Sequence, residues 1–376
     1  MNSIILLYTL TLILSIIFGA IARKTEFCPL GGIADVLKTG NNGRFFMYLF
    51  AIGIAILWAS LLEGFSILSF DTTRPPYRSY EFRWSGYIAG GFLFGIGMTL
   101  SRGCGMKNML NLGGGDMRAA IALLGISMAS YVLLYTDGMM DNLFGWVVTS
   151  SPDLSQFDIY NQDLGSFAHY FFSESIGGSI DTWRIFIGLA IAAFFIGLAL
   201  RSRYFKERKN NRVGGFTIGT LIIAAFYLTG GSLRDSVQEI SDFMSEPLYG
   251  LGMQSYTFIR PMGDTFRVLT HPVLYFVTLG LVMSLGIGLG SLLYSLFDKS
   301  FKVQGIKILT SPRYFIGGLL MGTGGVLGLG CTLGQGMAGT STLALGSFMT
   351  LTFIVLGAYI GIKLQSNFMD DHEVPK

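Results

Sequence analysis

Apolar residues run along this chain in long stretches with few polar interruptions. Nine of them, at roughly 3–22, 44–66, 85–101, 117–136, 184–200, 213–230, 272–297, 313–329 and 342–363, approach bilayer-spanning length. A transmembrane helix needs about 17–25 such residues. The pattern predicts an all-α membrane protein of about nine transmembrane helices, several of them short or interrupted by glycine. The first run, Ile4 to Ala22, has no Lys or Arg before it and Arg23-Lys24 directly after it. That is the reverse of a cleavable signal peptide, so the run reads as a span.

The polar segments between the runs differ in charge, and this difference gives an orientation. From Asp137 to Trp183 there are seven acidic residues and no Lys or Arg, whereas Arg201 to Arg212 carries six basic residues. Basic loops stay on the cytoplasmic side, which places 137–183 outside and 201–212 inside. Lys299, Lys302, Lys307 and Arg313 form a second inside loop, and counting back puts the N-terminus outside and the C-terminus inside. The loop 67–84 fits poorly, since it comes out external yet holds Arg74, Arg78 and Arg83.

Composition supports the membrane reading. Charged residues are 13% of the chain, about half the roughly 25% of soluble domains. Mean hydropathy is +0.55, which excludes a disordered chain, a nucleic-acid binder and an ordinary cytosolic enzyme. The 51 glycines suit helices packed backbone to backbone. His169, His271 and His372 share no ligand spacing, and no metal site or other cofactor is expected. The tryptophans at 58, 84, 146 and 183 lie mostly near span ends, as interface anchors do.

The chain also repeats. Shifted by 227, Gly86–Gly105 lies on Arg313–Thr332 with nine of twenty positions identical, among them Tyr87/Tyr314, Gly90/Gly317, Gly97/Gly324, Leu100/Leu327 and Cys104/Cys331. A weaker pairing, at shift 232, sets Cys28-Pro29-Leu30-Gly31 against Arg260-Pro261-Met262-Gly263. The halves are then 1–136 and 213–376, joined by 137–212, which holds the external loop, a linker span and the basic cytoplasmic loop. Four spans plus one linker span reverse the direction of corresponding spans. This is the inverted pseudo-two-fold plan that many transporters use.

In each half, apolar segments stop at glycine or proline and restart as short helical pieces: Cys28 to Lys38, Gly103 to Gly115, Arg260 to Thr270 and Gly330 to Gly346. Irregular backbone inside hydrocarbon is tolerated where it is buried in protein or lines a polar cavity. Short helices with free N–H groups are anion seats. All three cysteines, Cys28, Cys104 and Cys331, fall at these breaks, and two of them are equivalent by the repeat. A lone membrane cysteine is usually a small buried apolar residue, but three placed this way mark a path. Gly31, Gly32, Gly103, Gly105, Gly330 and Gly334 flank them and would let backbone approach a ligand closely.

These segments resemble the YeeE/YedE family of membrane proteins. The first cysteine loop is Phe18-Gly19 through Phe27-Cys28-Pro29-Leu30-Gly31-Gly32 with Asn41-Asn42. The second is Gly90-Gly91 through Gly103-Cys104, and the third Gly317-Gly318 through Gly330-Cys331. Phe258-Ile259-Arg260-Pro261-Met262-Gly263 is similar to the family's fourth, cysteine-free loop. The resemblance covers essentially the whole chain. It implies thiosulfate uptake through nine spans plus short non-crossing helices, a bacterial inner-membrane location and a small cytosolic sulfur-carrier protein as partner. Ser101-Arg102 before the second cysteine departs from the small residues usual there.

The chemistry suits such a substrate. Thiosulfate is a dianion with a soft terminal sulfur. Thiols are weak S–H donors and polarizable, and helix N-termini supply positive potential. Protonated thiols would pass the ion along, whereas thiolates would repel it. Arg260 is placed to draw anions into the external mouth, with Arg102 and Lys107 placed similarly on the inner side. A membrane thiol oxidoreductase is the enzyme-class alternative, but cysteines 76 and 227 residues apart lack the close pair such chemistry uses. Transport of another sulfur or selenium species is the nearer alternative.

Overall fold

The computed structural model describes residues 2–244, 246–273, 276–306 and 311–368. The architecture is all-α. In chain order the first half comprises α1 (Asn2–Lys24), α2 (Pro29–Thr39), α3 (Gly43–Gly64), α4 (Trp84–Leu100), α5 (Gly105–Gly113) and α6 (Arg118–Tyr135). The connecting region holds α7 (Met139–Thr149), a 3-10 turn at Leu154–Phe157, α8 (Leu164–Ile176), α9 (Ile180–Arg201) and α10 (Arg203–Glu207). The second half is α11 (Lys209–Gly230), α12 (Ser232–Asp242), α13 (Ile259–Thr270), α14 (Leu279–Phe297), α15 (Ser311–Leu327), a π-helical turn at Gly334–Gly339, and α16 (Leu345–Phe368).

Seven stretches of the described residues are long and apolar enough to cross a membrane: the one opened by α1, and α3, α6, α9, α11, α14 and α16. The other two expected runs are α4 and α15, 17 residues each and rich in glycine. Two expected boundaries move. The run at 272–297 becomes helical only at Leu279, because Thr278 caps it by accepting the Leu281 N–H at 3.2 Å. The run at 342–363 starts at Leu345, since the preceding residues are taken up by the π-helical turn and the bend after it. The acidic stretch 137–183 is not plain loop but carries α7 and α8. Large apolar side chains such as Phe186, Phe194, Leu285 and Leu293 stand exposed on the outside of the bundle, as they would against lipid.

The packing follows from small residues. α4 lies against α15 in antiparallel register: a Cβ on Gly97 would sit 2.7 Å from the Gly317 carbonyl, and one on Gly90 2.5 Å from the Gly324 carbonyl. These four glycines are two pairs related by the 227-residue shift, so each contact is the counterpart of the other. α4 also packs on α16 and α15 on α6. α14 lies on α1 and α3 on α11, pairs that exchange when one half is mapped on the other. α9, the expected linker, packs on α3 and leaves most of its surface outward.

The close crossing gives a direct test. Gly317→Val puts a branched side chain against the Gly97 carbonyl and the Ser101 N–H. It should destabilise the detergent-solubilised protein by about 1–3 kcal/mol, seen as a lower melting temperature. Gly197→Val, on α9 with nothing within 4 Å, should leave the melting temperature unchanged.

Candidate functional site

Each cysteine sits where a helix begins. Cys28 is extended, at φ −156°, and caps α2. Its sulfur accepts the Gly31 N–H at 3.2 Å, and Pro29 follows at the first helical position, where a missing N–H costs nothing. Cys331 repeats this arrangement, accepting the Gly334 N–H at 3.4 Å ahead of the π-helical turn. Cys104 caps α5 from an extended backbone, and the Asn108 amide donates to the Gly103 and Cys104 carbonyls at 2.9 and 3.1 Å. All three are free and buried.

The fold brings these three starts together. Cys104 interacts electrostatically with both Cys28 and Cys331, and its thiol lies beside the Thr332 hydroxyl. Tyr48, on α3, stands within reach of Cys104 and Cys331 and donates to the Thr332 carbonyl at 2.7 Å. Its ring is 6.0 Å from that of Phe27, next to Cys28. The Thr332 hydroxyl is buried. The Cys104 thiol beside it is a weak hydrogen-bond partner. The Cys331 sulfur is in turn beside Thr257, in the extended segment that leads into α13.

The two ends of this row differ. Beyond Cys28 lies Arg44, held by Asp35 through two bonds of 2.5 and 2.7 Å and interacting with Cys28. Thr257 also lines a small pocket together with Arg74, Arg260 and Asp264. Arg260 donates to the Tyr249 hydroxyl at 2.9 Å. Asp264 accepts from Thr278 at 2.8 Å and from the Tyr135 hydroxyl.

The other expected site residues have specific neighbours. Arg102 adopts φ +58° and is half-buried, in the turn that lets α4 stop before Cys104. The Lys107 stem covers Gly103, which leaves no space for a Cβ there. Gly32 packs on the α3 backbone, Gly105 on Phe258, Gly330 on Gln335 and Gly334 on Thr257. Gly31 and Gly334 each give their N–H to a cysteine sulfur. Among the described residues no group of three or more His, Cys, Asp or Glu is arranged to hold a metal ion.

The ill-fitting basic loop 67–84 finds its reason here. Arg78 is buried and paired with Glu63 at 2.5 Å and Asp71 at 3.0 Å, and it donates to the Thr342 carbonyl at 2.8 Å. Arg184 on α9 pairs with Asp163 at 2.8 Å and Asp71 at 3.2 Å. Burial pushes the Asp71 and Asp163 carboxyls up, but the two guanidiniums overcome it and hold both below the ordinary carboxylate range. Gln162 and Leu164 of the acidic stretch grip the backbone of Leu345 and Leu343 at 2.8 and 3.0 Å. The acidic stretch thus clamps the segment that follows the Cys331 turn.

Tyr48, Thr332, Thr257, Arg44 and Arg74 were not legible as site residues. Tyr48 sits unmarked within an apolar run. Arg74 did carry a signal, as a basic residue in a loop that broke the charge rule.

A family model described as Sulphur transport matches residues 24–360. The thiosulfate transporter TsuA of Escherichia coli is 24% identical over 366 residues, covering 93% of this chain and 92% of the relative. The thiosulfate transporter TsuA of Spirochaeta thermophila is 27% identical over 350 residues, covering 92% and 95%. With a match over most of its length and a helical membrane architecture to fit, the chain belongs to the YeeE/YedE family of sulphur-transport proteins.

Proposed function

We propose that this protein takes up thiosulfate across the cytoplasmic membrane along a path marked by Cys331, Cys104 and Cys28. The observation that carries the reading is that Cys28, Cys104 and Cys331 are all free, buried and placed where a helix or helical turn starts. The relatives named as thiosulfate transporters support the substrate. The buried Thr332 hydroxyl beside the Cys104 thiol supports a polar guest at this point.

The thiols act un-ionised. A thiolate would repel the dianion, whereas an S–H donates weakly to oxygen or sulfur and releases it again. Several weak contacts in a row let an ion leave as readily as it enters. The helix starts at Cys28 and Cys104 add the positive ends of their dipoles. The exchange of α4–α16 with α15–α6 supports an inverted repeat, with the cysteines where the halves meet. The acidic stretch then lies outside and the Arg44–Asp35 end inside.

Moving a dianion inward against a membrane potential costs about 4.6 kcal/mol per 100 mV. Of the carboxylates at span ends and breaks, Glu63 pairs with Arg78, Asp116 with Arg118, and Asp264 with Tyr135 and Thr278. Uptake therefore runs downhill on consumption of the ion inside, a step suited to a cytosolic sulfur-carrier protein.

Purified protein in liposomes should accumulate radiolabelled thiosulfate. Unlabelled thiosulfate should compete better than sulfate, which lacks the soft sulfur. Equal competition by sulfate, sulfide or selenium oxyanions would move the reading to a general anion path. Liposomes as tight to thiosulfate as protein-free ones would end it.

A further inference from the structure

The geometry points to a second anion-binding station ahead of the cysteines: the pocket between Arg74 and Arg260, which takes the oxygen end of a tetrahedral sulfur oxyanion and presents its sulfur towards Thr257 and Cys331. This rests on the transport reading above and adds a separate binding step to it.

Three observations converge. First, the pocket joins two arginines from distant parts of the chain, the 67–84 loop and the start of α13, with the hydroxyl-bearing Thr257 and the amide of Gln254. Guanidinium forks match the oxygens of a tetrahedral anion. Second, both arginines are positioned rather than free to wander. Arg260 donates to Tyr249 and lies over its ring at 5.4 Å. The Arg74 backbone N–H donates to the Met253 carbonyl at 2.8 Å, which fixes the root of the side chain, and the side-chain stem crosses Gly252 so closely that a Cβ there would sit 2.8 Å from the arginine Cδ. Among the described residues Arg74 has no ion pair, so its charge is available to a guest. Third, the pocket carboxylate, Asp264, has one oxygen taken by Thr278 and the other by Tyr135. Its lone pairs point at these hydroxyls, which lowers its repulsion of an incoming anion.

Thr257 connects the two stations. It lines the pocket and also stands beside the Cys331 sulfur. An ion held by its oxygens at the arginines has its next partner one side chain away. The row then runs from the arginine pocket to Cys331, Cys104 and Cys28. Arg260 occupies the place that the 232-residue shift pairs with Cys28. The two ends of the repeat therefore hold different groups, a charged one where the ion is captured and a neutral thiol where it is released.

The test combines uptake kinetics with thiosulfate-dependent thermal stabilisation of the solubilised protein. Arg74→Ala and Arg260→Ala should each raise KM about tenfold, the loss of one charged hydrogen-bond contact, with little change in the saturating rate. Both should weaken stabilisation by thiosulfate to the same degree. Arg74→Lys should recover part of the affinity. Gly252→Ala keeps both charges but displaces Arg74, and should raise KM as well. Cys331→Ala should lose uptake yet keep the stabilisation. Unchanged KM and unchanged stabilisation in both arginine variants, present in the membrane at normal amounts, overturns the proposal. If Arg260→Ala fails to accumulate, the exposed Arg74 decides alone. Wild-type protein that is stabilised by thiosulfate but does not transport it would refute the transport reading and leave this station standing.

Discussion

Alanine at Cys104 is expected to cut thiosulfate uptake by about 10–100-fold while the protein reaches the membrane in normal amounts. The size follows from the contact removed. A hydrogen bond to a charged group contributes about 1.5–3 kcal/mol, which corresponds to roughly 10–100-fold in rate. In the proposed path the ion meets Cys104 between Cys331 and Cys28. Folding should tolerate the change, because the backbone of Cys104 is held by Asn108, which donates to the Gly103 and Cys104 carbonyls. Serine at the same place keeps a donor and loses the polarizable sulfur, so it should fall between wild type and alanine. Alanine at Cys28 or Cys331 also frees the Gly31 or Gly334 N–H, so those variants carry a small added stability loss. A triple alanine variant with full uptake would remove the thiols from the mechanism.

The second large effect concerns the charge cluster around Arg78 and Arg184. Arg78→Met should destabilise the protein by about 3–5 kcal/mol, the usual result of stripping one partner from a buried ion pair. Arg78 is 1% exposed and faces Glu63, itself 9% exposed. Without it, Glu63, Asp71 and Asp163 share the single guanidinium of Arg184. Its bond to the Thr342 carbonyl is lost too, which loosens the segment after the Cys331 turn. Uptake should fall along with the melting temperature. Glu63→Gln in the same chain removes the stranded charge and should restore part of both, and a double-mutant cycle reads the coupling.

The cluster also predicts a pH dependence. Asp71 and Asp163 are held below the ordinary carboxylate range in the folded protein. Their contribution is therefore complete above the unfolded carboxylate pKa of about 3.9 and is lost as pH falls through the lower folded values. The deficit of Arg78→Met relative to wild type should be greatest near neutral pH and shrink in strong acid, where the carboxylates are neutral in both proteins. A deficit that stays constant with pH would show that Arg78 acts by packing alone.

Much of this was readable along the chain because membranes impose strong local rules. Hydrocarbon demands runs of apolar residues with their backbone satisfied internally, so most helices stand close to where the runs lie. The glycines at 90, 97, 317 and 324 were visible as a repeat, and in the fold these same glycines make the α4–α15 crossing. The start of α14 was misplaced because apolar residues continue upstream of Leu279, and the cap at Thr278 leaves no hydropathy signal. The basic residues of 67–84 looked like a breach of the charge rule. Sequence order hid the surroundings of Arg78, since Glu63 precedes that loop and Thr342, whose carbonyl Arg78 meets, lies 264 residues beyond it.

By itself the sequence determined the membrane class, most of the helical runs and the cysteines at helix starts, because each of these is written in neighbouring residues. Only the tertiary structure decided that Tyr48 reaches the Thr332 carbonyl, that the Thr332 hydroxyl lies beside the Cys104 thiol, and that Arg74 and Arg260 line one pocket with Thr257. Those relations join residues far apart in the chain, and the close approach of small-residue helices, not local propensity, sets them.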